Sequence, residues 1–260
     1  MDIIIGLLVA ACVFLGAVGG MQLYRWLPDS HLSTETKEVV RLGIGMISIL
    51  AALVLGLLTA SAKNAFDGAD QQIRSYAADL TLLDQSLRQY GPEATPIRKD
   101  LLDYTERAVR TTWPDPGEAT NQPLEDKGAG ELLDKVAQQI LTLKPHTDEQ
   151  SWLRGQALDI SARLVHTRWT LLMNQQGSVS PILLIIVVVW ITVIFASFGL
   201  NAPRNATVVA AFLVCALSIG TSIFLILDID TPFDGIIRIS GVPMRNALDH
   251  LRVQNLQAQE

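Results

Sequence analysis

Four runs of this sequence carry no charge and are long enough to cross a membrane: residues 3–24, 42–62, 179–200 and 206–227. An α-helix rises 1.5 Å per residue, so about 20 residues cross a hydrocarbon core of roughly 30 Å. Backbone polar groups in lipid must be satisfied within the segment, and runs this long and unbroken do so as helices. The first run lacks the basic flank of a signal peptide and exceeds the usual length of its apolar core, so it reads as a retained anchor.

The rest of the chain is too polar to lie in lipid. Of 260 residues, 49% are hydrophobic and 18% charged, which fits a mixed membrane protein. A net charge of -6 without a long basic run argues against a nucleic-acid partner. Cys12 and Cys215 lie in apolar runs and offer neither a disulfide framework nor a metal spacing. They read as small buried apolar side chains.

The spans form two hairpins, 1–62 and 179–227, separated by a polar block over 63–178 and followed by a tail over 228–260. Two spans precede the block and two follow it, so the block and both termini share a side. Lys63, Arg74, Arg163, Arg168, Arg238, Arg245 and Arg252 flank the spans on that side, against Arg25, Lys37, Arg41 and Arg204 on the other. The positive-inside rule favours a cytoplasmic block and cytoplasmic termini.

Within the block, Phe66, Ala69, Ile73, Tyr76, Leu80, Leu83, Leu87 and Tyr90 recur every three or four residues. Nothing interrupts this pattern after the second span, which predicts one long helix stopped by Gly91-Pro92. Thr95-Pro96 reads as an N-cap and first helical position of the next helix. A loop is expected over 114–126. A third helix carries Leu132, Leu133, Val136, Ile140 and Leu143. Thr147 to Gln150 reads as a capping box for a fourth, whose apolar stripe is Trp152, Gly155, Leu158, Ala162, Val165, Trp169 and Leu172. The fold class is therefore all-α: four transmembrane helices in two hairpins with a cytoplasmic helical bundle between them. Met244, Leu248 and Leu251 share a face of a short amphipathic helix in the tail.

No catalytic motif stands out. His31, His146, His166 and His250 do not pair at metal-ligand spacing, and neither HExxH nor GxSxG occurs. The chain does not read as an enzyme, and no cofactor is expected. In the second span, Gly45, Ser48, Ala52, Gly56 and Thr59 fall on one helical face. Small residues at such spacing allow close helix packing, and they also suit a pore-lining stripe with two hydroxyls. Gly16 and Gly20 form a GxxxG that reads as a packing contact. Arg204, in the turn between the last two spans, reads as an interface anchor.

The last span runs into a membrane-exit motif: Asp228, Asp230, Pro232, Phe233, Asp234 and Arg238. An EF-hand loop fails here, because Pro232, Phe233 and Ile239 occupy positions 5, 6 and 12 counted from Asp228. Another oxygen site on Asp228 and Asp230 and a simple turn at Thr231-Pro232 both remain as readings.

Several stretches resemble a bacterial membrane family labelled bestrophin-like. They are Ser61-Ala62-Lys63, Leu82-Leu83-Asp84, Tyr90-Gly91-Pro92-Glu93, Trp113-Pro114, Thr167-Arg168-Trp169, Phe195-Ala196-Ser197-Phe198-Gly199-Leu200, Ala202-Pro203-Arg204-Asn205-Ala206-Thr207 and residues 224–240. The resemblance implies a pentameric anion channel with four membrane helices per subunit and cytosolic termini. Asp230-Thr231-Pro232-Phe233 is similar to a segment that follows the last bestrophin span. Here Asp234 separates Phe233 from Gly235, and Ile236-Ile237-Arg238-Ile239 stands where bestrophins carry an acidic run. Two functions follow: a homo-oligomeric ion channel in contact with membrane lipids, or a non-conducting scaffold or sensor whose bundle binds a protein partner.

Overall fold

The computed structural model describes residues 2–24, 26, 28, 33–114, 127–173, 177–233 and 235–256. These residues form eight α-helices and one 3-10 turn, and no strand occurs among them. The helices are α1 (Asp2–Leu23), α2 (Thr34–Tyr90), α3 (Thr95–Thr112), α4 (Lys127–Thr142), α5 (Asp148–Met173), α6 (Pro181–Asn201), α7 (Ala206–Asp230) and α8 (Val242–Leu256). Four of them, α1, α2, α6 and α7, are long and apolar enough to span a membrane. The all-α class with four candidate spans is thus the observed one. The chain divides into two compact units. One comprises residues 1–66 and 177–237, and the other residues 67–176 and 238–260. The α2 helix contributes to both.

In the first unit α1 packs along both α6 and α7. The seams are made by glycine. A Cβ on Gly20 would lie 2.0 Å from the Ala196 carbonyl oxygen, and one on Gly199 2.0 Å from that of Ala17. Gly6 and Gly220 bring α1 equally close to α7, where a Cβ on Gly220 would lie 2.5 Å from the Gly6 oxygen. Backbones this near gain dispersion that bulkier side chains would prevent, which is how helices associate without a hydrophobic drive between them. Val9, Val13, Val187, Ile191 and Ile223 fill the space between the seams, joined by Ala51 and Leu58 from α2. Arg204, expected as an interface anchor, donates to the Met21 carbonyl in the last turn of α1 and so caps that helix C-terminus. The Asn205 side chain accepts from Val208 N at 2.8 Å and starts α7.

The second unit is a bundle of the polar end of α2 with α3, α4, α5 and α8. Ile73, Leu80, Leu83 and Leu87 of α2 are buried with Leu101 of α3, Val136 and Ile140 of α4 and Leu251 of α8. Gly91 stops α2 at φ 127°, a conformation that costs glycine little. Thr95 is the first residue of α3 rather than its cap. A 3-10 turn over Pro92–Ala94 feeds directly into α3 and leaves Ala94 at the cap position. At the start of α5, Thr147 Oγ1 accepts from Gln150 N at 3.1 Å, while the Gln150 side chain accepts from His146 N and donates to the Tyr90 carbonyl.

Two polar pairs lie inside the bundle. Arg98 forks onto Asp84 with bonds of 2.7 and 3.2 Å, both side chains almost fully buried. The Tyr76 and Tyr104 hydroxyls bond to each other, and burial pushes both above the usual tyrosine range. The loop expected over 114–126 lies outside the described residues from 115 onward.

The stripe expected on α5 is corrected. Its buried residues are Leu153, Ala157, Ile160, Ser161, Leu164 and Leu171. Trp152 and Trp169, which belong to the expected stripe, are 64% and 54% exposed. The helix carries apolar residues on two faces, and the packed seam is the one with smaller side chains. The tail helix α8 packs on α3 and buries Met244, Ala247, Leu248 and Leu251. Trp113 fixes the approach to it by donating Nε1 to the Ile239 carbonyl at 2.9 Å.

Candidate functional site

The membrane part of α2 has three faces. Ala51, Leu58 and Ala62 are buried in the first unit. Leu42, Met46, Ile49, Leu53 and Leu57 are exposed and bulky. Between these faces runs the stripe of small residues. Gly45, Ala52, Gly56 and Thr59 are exposed and Ser48 is half-buried. A Cβ on Gly45 or Gly56 would meet nothing within 4 Å. Inside one protomer the stripe is therefore not a close-packing seam, in contrast to Gly6, Gly16 and Gly20 of α1. Both hydroxyls bond back to their own helix, Ser48 to the Ile44 carbonyl and Thr59 to that of Leu55, each at 2.8 Å. Only 11% of the most apolar window of α2 is buried, against 33%, 28% and 22% for α1, α6 and α7.

The exit motif is built differently. The α7 helix continues through Asp230, so both aspartates are its last-turn residues, and both are buried. The Asp228 carboxylate accepts from Ile236 N and Ile237 N at 2.8 and 2.9 Å. The Asp230 carboxylate accepts from Ser178 N at 2.8 Å, Ser178 Oγ at 2.7 Å and Val179 N at 3.0 Å. A buried charge needs such donors to offset its desolvation, and charge-assisted bonds to backbone N–H are among the stronger kinds. Two glycines let the backbone come this close. A Cβ on Gly177 would sit 2.1 Å from Asp230 Oδ2, and one on Gly235 2.8 Å from Asp228 Oδ1.

Asp228 thus ties down the turn after α7, and Asp230 the segment leading into α6. Pro232 is buried beside them and Phe233 half-buried. Asp234 lies outside the described residues. Arg238 is exposed and belongs to the other unit. Among the described residues, no three His, Cys, Asp or Glu gather as a metal site. The chemistry the two carboxylates perform is backbone capping. The spacing of the motif did not reveal its donors, because Ser178 lies 52 positions away from Asp230. Four and eight positions before Gly45, Arg41 and Lys37 lie on the same face of α2.

Four apolar helices, a helical bundle inserted between the second and third, and a last span closed by capped carboxylates define a class of helical membrane proteins. The Bestrophin-like domain model matches residues 11–244, so the chain belongs to the bestrophin-like family. Its fold is that of solved relatives. Crystal structures of two variants of a bacterial bestrophin homologue from Klebsiella pneumoniae are 13% and 14% identical, each with a TM-score of 0.67. The matches cover 96% and 98% of this chain and 98% and 99% of those. No curated protein matches in sequence.

Proposed function

We propose that the chain is one subunit of a homo-oligomeric ion channel whose path is lined by Gly45, Ser48, Ala52, Gly56 and Thr59 of α2. The observation that carries this reading is the outward face of α2. The least covered of the four spans presents small and hydroxyl-bearing residues away from its own core, where lipid alone would favour bulky apolar ones. Four spans leave little room for a path inside one protomer, so the stripe needs copies of itself around an axis. Five copies is the number the family resemblance favours. The positive-inside bias orients the bundle and both termini toward the cytoplasm of a bacterial inner membrane. Asp228 and Asp230 set the ends of α7 and α6 and do not touch the permeating ion.

Purified protein in liposomes should pass small ions, and Ser48→Trp or Ala52→Trp should abolish the flux without changing assembly mass. Well-folded oligomers that pass no ion, or a monomeric mass in mild detergent, would remove this reading. The exposed Trp152 and Trp169 of α5 favour a second one, in which the bundle binds a protein partner and the membrane helices only anchor it.

A further inference from the structure

A cavity of about 740 Å³ opens in the first unit between the start of α2 and the end of α6. Its polar lining includes Lys37, Glu38, Arg41, Ser48, Ser197 and Asn201. Lys37 and Arg41 stand one turn apart on α2 and lie on the face that continues into the stripe. Among the described residues neither cation forms an ion pair, and Glu38 forms none either. Two positive charges against one negative leave the cavity net positive. The α2 N-terminus at Thr34, also in the lining, adds to the positive potential.

The second observation comes from α6. Ser197 is 9% exposed, lines the cavity, and its hydroxyl makes no hydrogen bond among the described residues. The residue is nearly buried and its hydroxyl keeps a free proton to offer to whatever occupies the cavity. The neighbouring Asn201 spends one N–H on the Ser197 carbonyl at 3.2 Å and keeps its second. The Ser48 hydroxyl proton is already given to Ile44. The open donors are thus the Ser197 O–H, one Asn201 N–H, the Arg41 guanidinium and the Lys37 ammonium. Glu38 is the one negative charge in the lining, and the other acceptors there are neutral amide and hydroxyl oxygens. Ile44 and Phe198 form an apolar wall that lowers the local dielectric and strengthens these donors.

We infer that this cavity is an anion-binding site, with Arg41 and Lys37 supplying charge and Ser197 and Asn201 supplying directed hydrogen bonds. Its ligand is a small anion or the phosphate of an anionic lipid, and the donor chemistry is the same for both. The site stands on the geometry of one protomer and does not depend on conduction.

The test is direct binding to the purified full-length protein. Sodium iodide and inorganic phosphate are titrated calorimetrically in a zwitterionic detergent. Retention of phosphatidylglycerol over phosphatidylcholine is measured by native mass spectrometry from nanodiscs. Binding of iodide or phosphate assigns a dissolved anion, and selective retention of phosphatidylglycerol alone assigns a lipid phosphate. In either arm Arg41→Gln should weaken binding by about tenfold or more, Ser197→Ala by roughly threefold, and Arg41→Lys should restore most of the loss. Each variant should keep the elution volume and melting temperature of the wild type measured without ligand. No binding in any arm, or binding that Arg41→Gln and Ser197→Ala leave unchanged, overturns the site. Ion flux measured on the same preparations separates the two proposals: binding without flux removes the channel reading and leaves the site standing.

Discussion

Helices α1 and α2 both present small residues in a membrane span, and they use them in opposite ways. Three of the four α1 glycines are closed: Gly6, Gly16 and Gly20 each face backbone or side-chain atoms of α6 or α7 nearer than a Cβ could tolerate, while Gly19 faces nothing within 4 Å. Those of α2 are open: Gly45 and Gly56 face nothing in their own protomer. Small residues therefore mark where a helix face must stay slim, and what it makes room for depends on the surroundings. On α1 the space is taken by a neighbouring helix. On α2 it is left for something outside the chain, which is the basis of the channel reading.

The contrast breaks most readily at the closed seam. Gly20→Leu places a branched side chain where a single carbon already meets the Ala196 carbonyl at 2.0 Å. No monodisperse membrane protein should be recovered, as judged by size-exclusion chromatography in detergent. Gly56→Leu, on the open face, should be recovered at wild-type yield and should instead reduce ion flux in liposomes. Equal yields for the two variants would erase the distinction between the seams.

A smaller effect is expected at the carboxylates. Asp230→Ala leaves the buried Val179 N and the more exposed Ser178 donors without their acceptor, a loss of about 1–3 kcal/mol from the one buried donor. Asp228→Ala strands only Ile236 N and Ile237 N near the surface and should cost less. Thermal melts in detergent would order the two, and the reverse order would show that Asp230 is not the main tie between α7 and the start of α6. The smallest change is Gly45→Ala. It adds a methyl where there is room and exchanges glycine for a better helix former, with a gain of up to about 1 kcal/mol. A lowered melting temperature there would mean that the face is packed in the assembled protein.

Much of the fold was legible because its signals are local. An uncharged run of about 20 residues needs no partner to be recognised as a span. The periodicity from Phe66 to Tyr90 carried α2 out of the apolar run in one piece, and Gly91 ended it as a glycine at positive φ does. What failed was the choice between equivalent faces. Helix α5 has apolar residues on two faces, so Trp152 and Trp169 looked as suitable for the core as Leu153 and Leu164, and only contact with the other helices decides. The same holds for α1, whose GxxxG was readable as a seam but not as a seam against α6. Asp228 and Asp230 were visible as carboxylates at the end of a span. Their roles depend on backbone donors brought up by folding, and no spacing within the motif encodes those donors. The open Ser197 hydroxyl shows only once α6 lies beside the start of α2.

The measurement that bears most directly on the central claim is cysteine accessibility along α2. In a background with Cys12 and Cys215 replaced by alanine, single cysteines at Ser48, Ala52 and Thr59 would be exposed to a charged, membrane-impermeant thiol reagent, with Ala51 and Leu58 as buried controls. Modification and loss of ion flux are predicted at the three stripe positions and at neither control. Flux that survives at all five positions, or reactivity that does not follow the stripe, would contradict a path lined by α2.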